Sequence, residues 1–574
     1  MTTPATSPDV GPATGRGARA LAAERRAAPT EIHRTAYLRR HDARSEAEVK
    51  QRARREGRTT FHAHVGSTDW PATARALQEI EAGLAERGLA CDRFGLTLSR
   101  AMSVTEAERA TVHKETGPAL RPEEWAQLGE AAAIQPHLGD FMIGTPAGAE
   151  HARAALAAGV TTIGNLGQYW SFEVPGGQDA LRVTEATVEA IGMLAAWRDR
   201  GALVHSYLDD GVAMQASHYG AYVGWAALER HVVEDLCRAR LAHSYGGLVD
   251  DPWHRAVVHL AVDDVHDRDH LGSMVYGDTV SMRAGDPAHN EEVLRRYLTV
   301  DLAAQLRRPT GHAVHPVPLT EAERVPTGAE NLHVQLLAHE LDLDVRRSGA
   351  VLDWDRAERL AGEVAAYAGR FRAGALALLR DDGVDVADPV ALLLALRMLG
   401  MAGLEERLRL PAPRAVAELV PWKARHVRTV AAGLDDELPD LRGTRVVLAV
   451  LDVHDVVRDA LLRALPRAGA EVVLLTSDAT PAGVVHAAVA EDADVIMVGT
   501  YNGAALAVGS ELADAVAATG FDGAVIIGGK LNQDTGGDVP VDVTADLAAL
   551  GLLPATTLAD AARLLRQDRH RTFT

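Results

Sequence analysis

Cysteine is nearly absent: Cys91 and Cys237 are the only two in 574 residues. They cannot build a disulfide framework or a Cys-x-x-Cys motif, and a reducing cytoplasm is the expected location. Lysine is almost as scarce, at Lys50, Lys114, Lys423 and Lys530. A bias toward arginine accounts for this, and it confines any Schiff-base chemistry to four positions. Excess positive charge is missing too. Lys+Arg number 59 against 79 Asp+Glu, a net charge of −20, which argues against a nucleic-acid partner. No apolar signal core opens the chain. The longest apolar stretch, 389–404, is interrupted by Arg397 and is too short to span a bilayer, so no membrane partner is expected.

What is present reads as alternating strands and helices. Residues 1–30 lack periodicity and are expected to be disordered. Residues 31–58 form a strongly charged helical pattern, expected to be a solvated helix covering one end of the next domain. Apolar runs at 59–65, 93–99, 137–143, 160–166, 202–208, 256–262 and 312–318 read as strands between amphipathic helices. Such alternation predicts an α/β fold, a (β/α)8 TIM-type barrel over 31–328, with its active site where strands give way to loops. A helical segment at 329–410 is expected to complete that domain. Prolines at 411, 413 and 421 mark a linker over 411–442. Residues 443–574 return to strand–helix alternation, a flavodoxin-like (Rossmann-type) module.

The first strand of that module ends in Asp452-Val453-His454. Ligands bind at carboxyl ends of strands in open α/β sheets. An imidazole there can coordinate a metal through one ring nitrogen while a carboxylate holds the other ring N–H. The following turn has no glycine, so a dinucleotide is disfavoured. These residues resemble the D-x-H-x-x-G signature of cobalamin-binding domains. The resemblance implies that Asp452 and His454 seat the cofactor, with His454 as ligand to cobalt. It extends to Thr480 after the second strand, Thr500 and Tyr501 after the third, and Gly528 and Gly529 after the fourth. One departure stands out: Val457 replaces the motif's glycine.

The barrel, in turn, resembles the large subunit of glutamate (methylaspartate) mutase. The stretches that carry this are IGTPAGAEHARAALAAGVTTIGN (143–165), YWSFEVPG (169–176), GALVHSY (201–207) and VPTGAEN (325–331). The chain then looks like a fusion of that subunit with the small cobalamin-binding one. The resemblance implies adenosylcobalamin, a radical isomerisation of a carbon skeleton, and a homodimer through the barrel. In that family three arginines clamp two substrate carboxylates. Arg100 matches one, while His64 and Met142 stand at the other two positions. Leu166 replaces the family's glutamate, and Phe172 and Gly176 replace its tyrosines. A buried diacid would be left unpaired, so the substrate is expected to be a carboxylic acid other than free glutamate. No catalytic residue is assigned.

Two other readings compete. A cobalamin carrier or sensor with a decayed barrel would explain the lost clamp. Alternatively, His62 and His64 lie two apart on a strand and face one way, as in amidohydrolase-like metal barrels, with His205, His259 and Asp263 as further ligands.

Overall fold

Eight short parallel strands form a barrel in the computed structural model. It describes residues 15–572 other than 68, 113–116, 175–178, 267–269, 350–351, 452–454, 476–478, 502, 534 and 536–539. The chain divides into two compact units, the first ending at Trp422 and the second running from Lys423. Short segments around Val112 and Phe172 group with the second.

The barrel strands are β1 (Thr60–Val65), β2 (Arg93–Leu96), β3 (Gln135–Leu138), β4 (Thr162–Ile163), β5 (Leu203–Tyr207), β6 (Leu241–Ser244), β7 (Met274–Val275) and β8 (Ala313–Val314). Their order is β6-β5-β4-β3-β2-β1-β8-β7, and a parallel bridge between Tyr245 and Val275 joins the two ends. Six of the seven sequence runs hold all or part of a strand. The seventh, 256–262, does not. It lies inside the helix Pro252–Val265, capped by Asp251, whose carboxylate accepts from Trp253 N and His254 N. Residues 255–262 of that helix are all buried, so their apolar run has no polar face to reveal a helical period. The strands the sequence hid are β6 and β7.

The charged helix Glu46–Glu56 does cover the amino end of the barrel, but its charges are not all solvated. Glu46 and Lys50 are each 2 % exposed. Glu46 takes Lys50 Nζ at 2.9 Å and Arg93 Nε at 3.1 Å, and the hydroxyls of Thr161 and Thr162 donate to it. Arg93 also donates to the carbonyls of Ser273 and Gly311. The N-terminal expectation fails in part as well. Residues 16–27 form a helix, with Gly17 N donating to Asp388 Oδ2 at 3.0 Å and Arg16 pairing with Glu185 at 2.9 Å. Gly192 makes room for it, since a Cβ there would meet Leu21 at 3.2 Å.

The second unit is built on β9 (Arg445–Val450), β10 (Glu471–Leu474), β11 (Val495–Thr500), β12 (Ala524–Gly529) and β15 (Leu553–Ala555). A small antiparallel pair, β13 (Asn532–Gln533) and β14 (Val541–Asp542), follows β12. The parallel order is β10-β9-β11-β12-β15, the 2-1-3-4-5 arrangement of flavodoxin-like sheets. Apolar clusters cover both faces. One gathers Val446, Leu448, Leu461 and Leu465; the other gathers Val447, Ala449, Val484 and Leu512. The stretch read as a linker contributes to the first. Val427, Ala431 and Leu434 of the helix Trp422–Glu437 pack there, so this helix from Lys423 onward contributes to the second unit's core. Proline at the start of a segment looks the same in a linker and before a helix. No helix among the described residues is long and apolar enough to cross a membrane.

Candidate functional site

In a 2-1-3-4-5 sheet the chain leaves the first strand in opposite directions on its two sides. The crevice opens at that switch, between the carboxyl ends of β9 and β11. Asp452 and His454 follow β9 and lie outside the described residues. The described loops at the carboxyl ends of the other strands are polar or small. Thr480 caps the helix Pro481–Ala490, its hydroxyl accepting from Gly483 N at 3.0 Å. Thr500 ends β11 and is buried, and Tyr501 follows it. Gly528 and Gly529 end β12. Gly529 has φ +100°, and a Cβ there would stand 2.1 Å from the Thr500 carbonyl oxygen. Only glycine lets β11 and β12 end this close together. Val457, the departure from the motif, packs its side chain against the unit's own apolar cluster. Lys423 Nζ is held by Asp455 at 2.6 Å and Asp459 at 3.4 Å, so its charge is fully engaged.

The barrel interior is lined with imidazoles. His62, His137, His205 and His315 are each at most 4 % exposed, and neither ring nitrogen of any of them has a partner among the described residues. Their rings meet edge to face: His62 with His137 at 5.5 Å, His62 with His315 at 5.3 Å, and His137 with His205 at 4.4 Å. Glycine on the neighbouring strands supplies the room. A Cβ at Gly95 would lie 2.5 Å from His64 Nδ1 and 2.6 Å from His62 Nε2, and one at Gly164 would lie 2.7 Å from His205 Nδ1. Burial drives all these rings toward the neutral form, with neighbouring imidazoles adding to it at His62. His205 falls to about 3 and His64 to about 4.

At the carboxyl ends of the strands the lining becomes acidic and phenolic. His64 Nε2 hydrogen-bonds Thr97 Oγ1 at 2.8 Å. Tyr207 and Tyr276 pack against each other with ring centres 4.2 Å apart and planes tilted by 32°. Asn165 donates to Asp210 Oδ2 at 2.8 Å, and Gln168 reaches Asp140 Oδ1 only at 3.5 Å. Asp209 differs from both. It is buried and accepts from Tyr222 Oη, Gly246 N and Leu248 N, which ties two loops together. Asp210 keeps surface that water can reach although protein surrounds it closely, as befits a group lining a concavity.

Desolvation pushes the Asp140 carboxyl up to about 7, against a weak pull from Leu98 N–H and Gln168. The unfolded chain releases that proton near the ordinary carboxylate value. Stability therefore falls as pH rises through the interval between the two. Asp140→Asn removes the penalty, so its melting temperature should exceed the parent's at about pH 8, with the gap closing toward about pH 4. Scanning calorimetry across that range checks this; a gap independent of pH would contradict it.

The residues singled out in the sequence fall into distinct places. His64 joins the mouth, touching Thr97 and lying 6.3 Å from Tyr276 and 6.0 Å from His315. Arg100 begins a 3-10 turn after β2. Met142, after β3, and Leu166, opening the helix Leu166–Ser171, are wholly buried apolar side chains. Phe172 is buried and groups with the second unit; Gly176 lies outside the described residues. The metal-barrel reading loses its ligands. His259 and Asp263 lie on the helix Pro252–Val265, where His259 bonds Tyr245 Oη at 2.7 Å and Asp263 pairs with Arg308. Among the described residues no three His, Cys, Asp or Glu side chains are arranged to hold a metal ion. Asp140, Asn165, His137 and His315 were not foreseen. The available signal was a polar residue directly after, or alternating along, each barrel strand.

No protein-family model matches the chain, and no curated protein matches it. Among solved structures it is similar to a novel cobalamin-binding protein from Desulfitobacterium hafniense DCB-2. The identity is 17%, over 33% of this chain and 88% of that one, with a TM-score of 0.20. At this level no residue's role passes from that protein to this one.

Proposed function

We propose that this chain is a cobalamin-dependent enzyme of the carbon-skeleton mutase type, acting on a carboxylic acid other than free glutamate. The observation that carries the reading is the 2-1-3-4-5 sheet, whose described carboxyl-end loops are closed by Thr480, Thr500 and the Gly528-Gly529 pair. The fit to a bulky cofactor tail is supported by Gly529, where backbone meets backbone with no space for a side chain. Asp452 and His454 would hold the cofactor from the β9 loop, His454 through its imidazole and Asp452 through the other ring nitrogen. Thr480, Thr500 and Tyr501 would offer hydroxyls to the tail. Bound adenosylcobalamin supplies a carbon-centred radical.

The barrel's part is enclosure and selection. Its imidazoles are neutral, so the lumen holds a polar substrate without adding charge. Arg100, the position that matches the family's clamp, would meet one substrate carboxylate. The wholly buried Met142 and Leu166 offer no second charge. A dicarboxylate would be buried with one end unpaired, which is the ground for excluding free glutamate.

Reconstitution tests the reading. The full chain should bind adenosylcobalamin with the spectrum of a histidine-ligated cobalt, and His454→Ala should lose that spectrum. Candidate acids are then screened for a substrate-dependent EPR signal. Failure to take up cobalamin at micromolar protein sinks the proposal. Uptake with no radical signal across a broad panel of acids would favour a carrier.

A further inference from the structure

A cavity of about 370 Å³ lies between the β2–β3 connection and the helix Gly148–Ala157 that follows β3, and no strand residue lines it. Three short faces build it. Glu150, Ala154, Ala157 and Ala158 recur at the spacing that puts residues on one side of a helix, and three of the four are alanine, so that side leaves a hollow. Pro122 and Trp125, at the two ends of the helix Pro122–Trp125, give an apolar wall. Glu106 and Arg109 complete the lining. Arg109 is fixed in place: Nη1 donates to the Leu120 carbonyl and Nη2 to His151 Nε2, each at 2.9 Å. His151 can accept there because its Nδ1 donates to the Phe141 carbonyl at 3.3 Å. Burial, then the adjacent guanidinium, bring that imidazole down to about 3, so it stays neutral. The Trp125 indole lies 5.6 Å from the same ring. The guanidinium thus meets two neutral acceptors and no carboxylate among the described residues. Glu106 and Glu150 form no ion pair there either.

From this we propose that the cavity is a binding site for a free α-amino acid with an apolar side chain, separate from the barrel lumen. Charges of opposite sign line one cavity without touching, and a zwitterion is the ligand that answers both. Its carboxylate would meet the Arg109 guanidinium, and its ammonium would meet Glu150 or Glu106. Its hydrocarbon side chain would lie against Trp125 and the alanines of the helix face. A simple anion would instead face two glutamates with no cation of its own, and a simple cation would face the guanidinium. The volume is that of a small-molecule site, mostly apolar with a few placed polar groups. None of these residues takes part in the cobalamin reading, so the site stands or falls without it.

The test uses the full chain without cofactor and three probes on one carbon skeleton: L-leucine, isocaproate, which lacks the ammonium, and isoamylammonium, which lacks the carboxylate. Calorimetry should show leucine binding at least about tenfold more tightly than either analogue. Arg109→Gln, and Glu106→Gln together with Glu150→Gln, should each weaken leucine about tenfold. Ala154→Leu fills the hollow from a half-buried helix position, so it should abolish binding while thermal unfolding stays cooperative. That variant also separates this cavity from any other place where leucine could bind. No binding of leucine, equal binding of either analogue, or full affinity in Ala154→Leu overturns the site. The probe comparison needs only the parent protein, so a poorly folding Arg109→Gln does not decide it.

Discussion

Glu46→Ala should destabilise the barrel by about 3–5 kcal/mol, the cost of leaving buried charge uncompensated. Among the described residues Glu46 is the only anion paired with Lys50 and Arg93, and all three are nearly inaccessible to water. Removing the carboxylate strands two cations and two threonine hydroxyls at once. Burial by itself would raise the Glu46 carboxyl, but Lys50 and Arg93 outweigh it and hold the group below its ordinary value. Its contribution is thus complete above the unfolded carboxylate value and disappears as pH falls through the lower, folded one. Urea unfolding at neutral pH and on the acid limb measures both. A loss below about 1 kcal/mol would show that the network is solvated after all. Replacing Glu46, Lys50 and Arg93 together by apolar residues of similar volume should cost less than Glu46→Ala alone, since no charge is then left buried.

Gly529→Val should be the most damaging single change in the second unit, costing about 2–5 kcal/mol. Two effects add. The φ of +100° is unfavourable for a β-branched residue, and the new Cβ would overlap the Thr500 carbonyl, which also accepts from Lys530 N at 2.9 Å. Relief requires β12 to pull away from β11 at the edge of the proposed cofactor crevice, so cobalamin uptake should fall along with stability. Gly433→Ala is the matched control. It lies in the helix Trp422–Glu437, nothing stands within 4 Å of a Cβ there, and alanine should stabilise by about 0.5–1 kcal/mol. Denaturant unfolding of both variants decides. Gly529→Val behaving like the control would mean that the β11 and β12 ends are not in close contact.

The second unit was readable because its strands are long, apolar and β-branched, and its loops carry small or polar residues at their ends. The strand–helix alternation expected over 443–574 is met, with β9 and β11 each an unbroken apolar run of four or more residues. The barrel was harder for a physical reason. Its β4, β7 and β8 have two residues each, too few for any period, while the buried helix Pro252–Val265 carries a run with the apolar character of a strand. The mouth was the least readable part. Asp140 and Asp210 are seventy residues apart, and the closing of the sheet puts both just past the carboxyl ends of barrel strands. Likewise the charged helix Glu46–Glu56 looked solvated because the partner of its inward face, Arg93, lies on a strand far along the chain.

The glycines facing the lumen imidazoles have a consequence for how this barrel can change over time. Gly95 yields its volume to His62 and His64 together. Enlarging residue 95 first meets two rings, and shrinking a ring first leaves a hole lined by unpaired nitrogens. Neighbouring strands must therefore exchange bulk in pairs. Swapping Gly95 with one of its histidines' positions keeps the filled volume but moves the imidazole to a new bearing inside the barrel. A lumen of this kind can rotate its polar groups around a bound molecule without altering its size.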